Sequence, residues 1–261
     1  MVNIEEKLPV VLVIAGHDPT GAAGIQADIE SIAANHCQSV SLITCLTVQN
    51  TGRFSAARTT EPELFRQQAD CLLQDVTIDA CKIGLINNTK ISEITVEILS
   101  RLNVPVVLDP VIKSGTGQLI SNDTIGQLYK LLLPLVTVLT PNIEEAQILG
   151  NNDDLSIAAK NILNAGCKSV LITGTHDNTD PVTNRFYYPQ HPLQTYNYEK
   201  LPGSFHGSGC TLSAALAAAL ACGNSLEQSV KMAQEYTWET LSHAVAVGKS
   251  QKHPSRFFKS R

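Results

Sequence analysis

The stretch VVLVIAGHDPTGAAGIQADIESIAAN, from Val10 to Asn35, changes pattern twice. It begins with an apolar, β-branched run at Val10–Ile14, which is typical of a buried strand. A glycine-rich cluster follows at Gly16–Gly24, and apolar residues then recur at helical spacing over Ile25–Asn35. A strand, a polar glycine loop and a helix in this order predict the first part of a βαβ unit.

The same alternation continues along most of the chain. The predicted strands are Val10–Ile14, Ser39–Leu46, Ala80–Ile83, Val104–Leu108, Leu135–Leu139 and Ser169–Thr173. The predicted helices between them include Ile25–Asn35, Pro62–Gln74 and Ser92–Leu102. Because repeated βαβ units cover both faces of a sheet with helices, this pattern predicts an α/β fold with a mainly parallel sheet.

The last third of the chain departs from this alternation. The segment Asn184–Tyr198 has two aromatic-rich runs around Pro189 and Pro192, which predict a small antiparallel hairpin at the edge of the sheet. Two helices are predicted after it, at Ser208–Ala221 and Leu226–Val247.

The chain has 261 residues, 43% of them hydrophobic, which is enough to bury a full core. No repeat, low-complexity tract or linker divides it. We therefore expect one domain over residues 1–261, with its core at about 8–247 and a basic tail at 248–261. The tail, which contains KSQKHPSRFFKSR, is predicted to be a solvated end.

Charge and cysteine content narrow the classes of function. The net charge is −5 with the two signs interspersed, so the chain has neither a basic stripe for nucleic acid nor a polybasic membrane patch. Its seven cysteines are odd in number and form no CxxC pair or zinc spacing, which is typical of a reduced protein. The N-terminus lacks the basic start of a signal peptide, and the longest later apolar run is about half the roughly 20 residues that a bilayer needs. We expect a cytoplasmic protein that binds small molecules, without nucleic-acid or membrane partners.

Polar or glycine-rich clusters follow five of the predicted strands. They are GHDPTGAAG at Gly16–Gly24, TVQNT at Thr47–Thr51, DPVIKSGTG at Asp109–Gly117, TPNIEEA at Thr140–Ala146 and TGTH at Thr173–His176. In open α/β sheets, ligands bind beyond the carboxyl ends of the strands, so clusters at that end outline a binding site. The chain has neither GxGxxG after the first strand nor GxxxxGK[ST], which disfavours a Rossmann dinucleotide site and a P-loop.

The segment HGSGCTLSAALAAAL, from His206 to Leu220, joins a glycine loop to an alanine-rich helix. The glycines let backbone N–H groups turn inward, and the free donors and dipole of a helix N-terminus attract an anion. Alanines permit close packing, so we expect a rigid anion hole. Cys210 lies in the first helical turn, where dipole and donors lower a thiol pKa. Position alone leaves it equally open that Cys210 is a small buried thiol like the other six.

Six motifs carry a resemblance to a known family. They are IAGHDPTGAAGIQADIES, TCLTVQNT, CKIGL, VVLDPV, LTPNIEEA and HGSGCTLSAALAA. In this order and spacing they resemble the hydroxymethylpyrimidine/phosphomethylpyrimidine kinases of thiamine biosynthesis, within the ribokinase-like superfamily, over about residues 8–245. The resemblance implies a three-layer α/β/α sandwich, ATP with Mg²⁺ as phosphoryl donor, and 4-amino-5-hydroxymethyl-2-methylpyrimidine as acceptor. It also implies a second phosphorylation of the monophosphate, and a homodimer.

The resemblance implies a pyrimidine pocket. Its substrate-binding positions are Gln49, Gly16, Ala23, Asp28, Leu85 and Val48. Gln49 matches the pyrimidine-reading glutamine of the family, since a carboxamide suits a ring nitrogen beside an exocyclic amine; the alternative is a strand-end amide satisfied by the backbone. Asp28 is either a pocket residue or a charge on the solvent side of its helix. Leu85 replaces the methionine of many relatives as an apolar lid.

The resemblance also implies a nucleotide site. Its nucleotide-binding positions are Asn142, Thr173, Lys113 and Gly174, and its metal positions are Asp109 and Glu145. Asn-x-x-Glu places both side chains on one face of the first turn of a helix, close to one hard cation. Asn142 as an N-cap, with Glu145 closing a capping box, is compatible with that role. Lys113 either reaches a phosphate or is an ordinary solvated lysine.

Cys210 takes the place where the broader superfamily has an aspartate base. We expect Cys210 to orient and deprotonate the hydroxymethyl group, while Gly207, Ser208 and Gly209 hold the transferring phosphate. Thr173 stands where many relatives have lysine, which puts the second phosphorylation in question. The missing charge would have to come from Lys82, Lys113 or Lys200.

Two other functions stay open at this point. A pyridoxal kinase has the same fold and a flat hydroxymethyl heterocycle as substrate, although Cys210 and Gln49 argue against it as the main role. A pyrimidine-binding regulator without catalysis is favoured only by the missing lysine. The presence of Asp109, Glu145 and the whole Gly-Ser-Gly-Cys loop argues against that regulator.

Overall fold

The computed structural model describes residues 7–112, 129, 131–174 and 180–260. Within this part of the chain, nine strands form one sheet in the order β3-β2-β1-β4-β5-β6-β7-β8-β9. The strands are β1 (Val10–His17), β2 (Gln38–Asn50), β3 (Arg53–Thr59), β4 (Ala80–Ile83), β5 (Val106–Leu108), β6 (Val138–Leu139), β7 (Val170–Ile172), β8 (Val182–Tyr187) and β9 (Gln194–Tyr198).

The centre of the sheet is parallel and both of its edges are antiparallel. β1 pairs in parallel with β2 and β4, and the parallel pairing continues through β5 and β6 to β7. At one edge, β8 and β9 form an antiparallel hairpin, which confirms the hairpin predicted within Asn184–Tyr198. At the other edge, β3 pairs antiparallel with β2. The sequence did not predict β3, because Arg53–Thr59 is a mixed polar segment and its pairing with β2 decides its conformation.

Helices cover both faces of the sheet. They are α1 (Gly24–Ala34), α2 (Pro62–Asp75), α3 (Thr89–Ser100), α4 (Ile143–Gly150), α5 (Leu155–Asn164), α6 (Ser208–Ala221) and α7 (Leu226–Ser242). Alternate residues of β1 face two separate cores: Leu12 and Ile14 pack with α2 to α5, whereas Val11 and Val13 pack with α1, α6 and α7. This arrangement is the predicted three-layer α/β/α sandwich.

The C-terminal segment differs most from its prediction. The last long helix ends at Ser242 rather than Val247. The tail after it is not a solvated end, because His253–Arg256 is buried. Its basic composition predicted solvation, but the Arg256 guanidinium is buried against oxygen acceptors and Glu30. No helix in the described part of the chain has the length and apolarity needed to cross a membrane.

Candidate active site

A cavity opens at the carboxyl ends of β1, β2 and β4, where the loop before α1 meets the first turn of α6. Five residues of the predicted site line it: Gly16, Ala23, Gln49, Leu85 and Cys210. The same walls include Lys82, which the sequence offered as one source of the missing positive charge. They also include residues to which the sequence assigned no role, namely Ala15, Asp18, Gly24, Thr47, Phe54, Val111 and His206. Three of the five predicted clusters therefore contribute to one cavity, namely those at Gly16–Gly24, Thr47–Thr51 and Asp109–Gly117, and no described residue of the other two clusters lines it.

Asp18 organises the loop that precedes α1. Its buried carboxylate accepts hydrogen bonds from the backbone N–H and the hydroxyl of Thr20, at 2.9 and 2.8 Å, and from the Ala23 N–H at 3.0 Å. Nε2 of His206 lies 3.1 Å from Asp18 Oδ2. Burial raises the pKa of Asp18, but the contacts with His206 and Thr20 outweigh it, so the net pKa is lowered. The Asp-Pro-Thr order is typical of such a turn and was the signal that could have identified Asp18.

Two glycines let the loops on either side of the cavity touch. Gly24 and Gly207 both have left-handed backbone conformations, with φ of 62° and 86°. A Cβ on Gly207 would lie 1.8 Å from the Ala22 carbonyl oxygen, and one on Gly24 would lie 2.3 Å from the Gly16 oxygen. No other residue type fits either position without moving a loop.

Gln49 presents its carboxamide to the cavity. Its Nε2 donates to the hydroxyl of Thr47 at 3.0 Å, and that hydroxyl donates to the His17 carbonyl at 2.8 Å. The Thr47 side chain therefore orients the Gln49 carboxamide. The second N–H of Nε2 and the Oε1 atom take no part in this hydrogen bond. Val48, between these two residues, is 57% exposed and does not line the cavity. Alternate residues of a strand face opposite sides, so Val48 lies away from Thr47 and Gln49, and its contact with substrate stays a prediction.

Asp28 is also placed differently from both predictions. It lies on α1 and is completely buried, with Oδ2 2.8 Å from the Nζ of Lys82, which is equally buried. Asp28 does not line the cavity and is not a solvent-side charge, whereas Lys82 reaches the cavity wall. Burial raises the pKa of Asp28 to about 6, although Lys82 lowers it. Burial lowers the pKa of Lys82, but the charges of Asp28 and Asp109 and the hydrogen bond to Asp28 oppose it, and the net pKa is raised.

Cys210 lines the cavity from the first turn of α6. Its thiol does not have the lowered pKa expected for a helix N-terminus. Burial raises the pKa of Cys210 to about 12, the charge of Lys82 opposes this, and the charges of Asp109 and Asp28 add to it. Removal of the thiol from water, next to carboxylates, disfavours the charged thiolate. Cys210 is a neutral thiol at neutral pH in this environment.

The predicted nucleotide end begins beside Cys210. Asp109 follows β5, is 6% exposed, and its carboxylate faces the start of α6, since a Cβ on Gly209 would lie 3.6 Å from both of its oxygens. Burial raises the pKa of Asp109, while Lys82 and the Cys210 thiol lower it. The anion hole and this carboxylate are therefore adjacent.

Asn142 and Glu145 form a complete capping box at the start of α4. Glu145 N–H donates to Asn142 Oδ1, and Asn142 N–H donates to Glu145 Oε2, both at 2.9 Å. The other oxygen of Glu145 accepts from the Ile112 N–H at 3.3 Å. Burial and then the charge of Asp109 raise the pKa of Glu145 to about 8. Its carboxylate is therefore both a structural cap and a buried acid.

The two acids fit a hard cation that is shared with phosphate oxygens. The charge of Asp109 raises the pKa of Glu145, so a cation between the two carboxyl groups would stabilise their charged forms. Among the described residues, no group of three or more His, Cys, Asp or Glu could hold a metal ion alone. Magnesium in phosphoryl-transfer sites is commonly bound by one or two carboxylates, with substrate phosphates and water completing its shell. The donor set is of that kind.

Thr173 lies next to Asn142, with which it forms an isolated parallel bridge. The Thr173 N–H donates to the Pro141 carbonyl at 2.9 Å. The Gly174 N–H donates to Asn184 Oδ1 at 2.9 Å, so this amide is already engaged within the fold. Lys113, the remaining predicted nucleotide residue, lies outside the described residues.

Comparisons with known proteins agree with this geometry. The family model described as Phosphomethylpyrimidine kinase matches residues 18–255. The chain is 36% identical over 258 residues to a hydroxymethylpyrimidine/phosphomethylpyrimidine kinase of Synechococcus elongatus, covering 96% of this chain and 98% of the relative. Among solved structures, it is similar to phosphomethylpyrimidine kinase from Clostridium difficile, with 30% identity, a TM-score of 0.78, and coverage of 90% and 100% of the two chains. It is also similar to the pyridoxal kinase from Staphylococcus aureus in complex with AMP-PCP, with 25% identity, a TM-score of 0.89, and coverage of 97% and 95%.

Proposed function

The chain belongs to the phosphomethylpyrimidine kinase family, and from that premise we propose that it phosphorylates 4-amino-5-hydroxymethyl-2-methylpyrimidine with ATP, and then phosphorylates the resulting monophosphate. One observation carries the proposal. A single cavity has the Gln49 carboxamide on one wall and the Cys210 thiol on another, beside the anion-binding start of α6. The carboxamide of Gln49 can form hydrogen bonds with a heterocycle, and the thiol of Cys210 is placed to contact the reacting hydroxyl.

Gln49 recognises the aminopyrimidine ring. Its Oε1 accepts a hydrogen bond from the exocyclic amine, and its second N–H donates to a ring nitrogen. Thr47 holds the carboxamide in place through the 3.0 Å hydrogen bond to Nε2. Gly16 and Ala23 leave room for the flat ring, and Leu85 covers it with apolar surface.

The start of α6 binds the transferring phosphoryl group. The first N–H groups of a helix have no partner within the helix, so those that follow Gly207, including Ser208 and Gly209, attract equatorial oxygens. The left-handed conformation of Gly207 turns the chain into this helix. Phosphoryl transfer depends mainly on positioning and charge stabilisation, and this rigid backbone site supplies both.

Cys210 orients the acceptor hydroxyl. Its pKa of about 12 makes it a neutral thiol before substrate binds, so no thiolate is present to act as a base at that stage. In a loose transition state little of the bond between the hydroxyl oxygen and phosphorus has formed, so this oxygen can keep its proton until late and early deprotonation is not required. We therefore assign Cys210 first to positioning and only then to proton acceptance.

Asp109 and Glu145 hold Mg²⁺ together with the nucleotide. The ion, when bound, neutralises charge on the phosphates and relieves the repulsion between the two buried acids. Asn142 and Thr173, adjacent at the ends of β6 and β7, border the phosphate site. Lys113 and Gly174 belong to the same nucleotide region in this proposal.

Lys82 supplies the positive charge for the second phosphorylation, in place of the lysine that Thr173 replaces. It lines the cavity, whereas Lys200 is exposed. Because its pKa is raised, Lys82 is a permanent cation beside Cys210 and Asp109. A monophosphate that enters this cavity meets that charge.

We further propose a cytoplasmic homodimer. Leu46 and Val48 are 54% and 57% exposed and lie on the same face of β2, near the edge of the sheet. Neighbouring exposed apolar side chains favour contact with a second protein surface. Sedimentation of the purified chain at two concentrations, with Val48→Asp as the disrupted variant, tests this assembly.

The deciding experiment is ADP release with MgATP and three acceptors in parallel: the hydroxymethylpyrimidine, its monophosphate and pyridoxal. Asp109→Asn serves as the inactive control. Turnover with the first two acceptors is expected. Turnover with the hydroxymethylpyrimidine alone would contradict the proposed second phosphorylation and the role of Lys82 in it. A preference for pyridoxal would make the chain a pyridoxal kinase, and binding of the pyrimidine without any ADP release would make it a regulator.

A further inference from the structure

The C-terminal segment Gln251–Arg256, here called the C-terminal strap, lies against the loops that form the cavity. Its backbone joins the segment before α6: the His206 N–H donates to the Lys252 carbonyl, and the Lys252 N–H donates to the Ser204 carbonyl, both at 3.0 Å. The Ser255 N–H donates to the Thr240 carbonyl at 2.9 Å, which ties the strap to α7. The strap is therefore a built part of the fold.

The strap ends in a buried guanidinium. Nε of Arg256 donates to the Thr211 hydroxyl at 3.1 Å, and Nη1 donates to the Gly21 carbonyl at 3.2 Å and to Glu30 Oε2 at 3.0 Å. Nη2 donates to the Ala22 carbonyl. One side chain, 2% exposed, thus joins the loop before α1, α1 itself and the first turn of α6.

These contacts act on the peptide that forms one wall of the cavity. The peptide between Ala22 and Ala23 is held at both ends, with its carbonyl on Arg256 and its N–H on Asp18. The same Ala22 carbonyl packs against Gly207, where a Cβ would be only 1.8 Å away. The side chain of Ala23, immediately after this peptide, lines the cavity.

The opposite wall is reached through Thr211. Its hydroxyl accepts from Arg256 and donates to the Gly207 carbonyl at 2.8 Å. Cys210, the neighbour of Thr211, lines the cavity. Arg256 is therefore connected to both walls and touches neither the cavity nor its contents.

We infer that Arg256 is a positioning residue, which holds the wall of Ala23 and the wall of Cys210 at one separation for the acceptor. This inference rests on the proposed function. A planar guanidinium with five donors can serve three separate oxygen acceptors and a carboxylate at once, which the single ammonium of lysine does not reproduce. The position therefore requires arginine for its geometry, beyond its charge.

The test compares Arg256→Ala, Arg256→Lys and the matched control Arg101→Ala. Arg101 pairs with Asp70 at 2.5 Å on the surface, and α3, which it caps, packs on the other face of the sheet. For Arg256→Ala we expect at least a tenfold rise in KM for the pyrimidine and a tenfold fall in kcat, with KM for MgATP changed less than twofold. Low millimolar guanidinium should restore part of kcat, and Arg256→Lys should stay below a third of wild-type kcat/KM.

Several results would overturn the inference. They are unchanged constants in Arg256→Ala, an equal rise in both KM values, or wild-type activity in Arg256→Lys. Amide hydrogen exchange supplies a readout that does not need turnover. In both Arg256 variants, exchange at Ala23 and Thr211 should rise at least tenfold relative to α5, and unchanged exchange would also overturn it. An inactive wild-type chain whose exchange responds in this way would reject the proposed function alone.

Discussion

The two ends of the site are built in opposite ways. At the acceptor end, the loop before α1 and the loop before α6 are tied together by hydrogen bonds of Asp18 and Arg256 and by a close backbone approach at Gly207. At the nucleotide end, Asp109 and Glu145 are buried acids whose pKa values are raised. The acceptor end is ordered by the protein, whereas the nucleotide end holds two acids whose charged forms burial disfavours and a bound cation would favour.

This difference predicts which kinetic constants a substitution at each end of the site should change. Loss of a contact at the acceptor end changes geometry, so it should act on the pyrimidine and leave the nucleotide alone. Loss of an acid at the nucleotide end removes charge stabilisation, which acts on the chemical step itself. The following experiments separate the two ends, from the largest expected effect to the smallest.

Asp109→Asn should have the largest effect. It keeps the shape of the side chain but removes a negative charge from the proposed magnesium site, and we expect kcat to fall about 10³-fold, or about 4 kcal/mol of transition-state stabilisation. Steady-state ADP release at several Mg²⁺ concentrations measures this. Glu144→Gln, an exposed neighbour of Glu145 on α4, is the control and should stay within twofold. If Asp109→Asn kept kcat, the carboxylate would have no part in the transfer.

Cys210→Ala should come next. Loss of the group that orients the hydroxyl is expected to lower kcat about 10²-fold while KM for MgATP stays constant. Cys210→Ser restores a hydrogen-bonding group and should recover about tenfold of that loss. Measuring kcat of both variants across pH separates positioning of the hydroxyl from proton acceptance. If Cys210→Ser and wild type had the same pH profile, the thiol would not be the proton acceptor.

Glu145 should make the stability of the metal-free protein depend on pH. Its folded pKa of about 8, against an ordinary value of 4.5, means that the folded state keeps a proton that the unfolded chain releases. The free energy of unfolding therefore falls as pH rises between these values, by about 2 kcal/mol from about pH 6 to about pH 8. Urea unfolding measures this slope.

A matched variant identifies the source of that slope. Glu145→Gln cannot titrate and should flatten the curve, whereas Glu144→Gln removes only the smallest of the charges that raise the pKa of Glu145 and should reduce the slope slightly. Addition of MgADP should raise the stability of wild type most at the higher pH, where the acid is charged. An identical slope in wild type and Glu145→Gln would assign the effect to another group.

Gln49→Ala should have the smallest effect, confined to the acceptor end. Loss of neutral hydrogen bonds to the ring should raise KM for the pyrimidine about tenfold, or about 1.4 kcal/mol, with little change in KM for MgATP. Thr47→Val, which removes only the support of the carboxamide, should show a weaker version of the same change. An increase in KM for MgATP alone would place Gln49 at the wrong end of the site.

Local sequence patterns predicted much of the fold. The βαβ alternation, the edge hairpin and the start and end of α6 at Ser208–Ala221 all follow from hydrophobic periodicity and turn residues, which act over neighbouring residues. The clusters at strand ends predicted the cavity because parallel strands present their carboxyl ends at one edge. Gln49 lies in one of these clusters and Cys210 at the predicted helix start, and both line the cavity, although their proposed roles came from the family resemblance.

Other features depended on partners that are distant along the chain. β3 exists because β2 is beside it, and Asp28 is neither a pocket residue nor a surface charge because Lys82 on β4 meets it inside the protein. Burial raises the pKa of the Cys210 thiol, although its position in the first turn of a helix predicted a lowered pKa. No local pattern contains that information.

The sequence by itself determined the layered α/β architecture and the place of the cavity, since periodicity and glycine loops are properties of short segments. Only the tertiary structure decided the burial of the basic tail, because the acceptors of Arg256 lie as far as 235 residues away in the chain. A charged side chain is predicted to be solvated until the fold shows which oxygen atoms surround it. The chemistry of a buried charge is set by neighbours that only folding brings together.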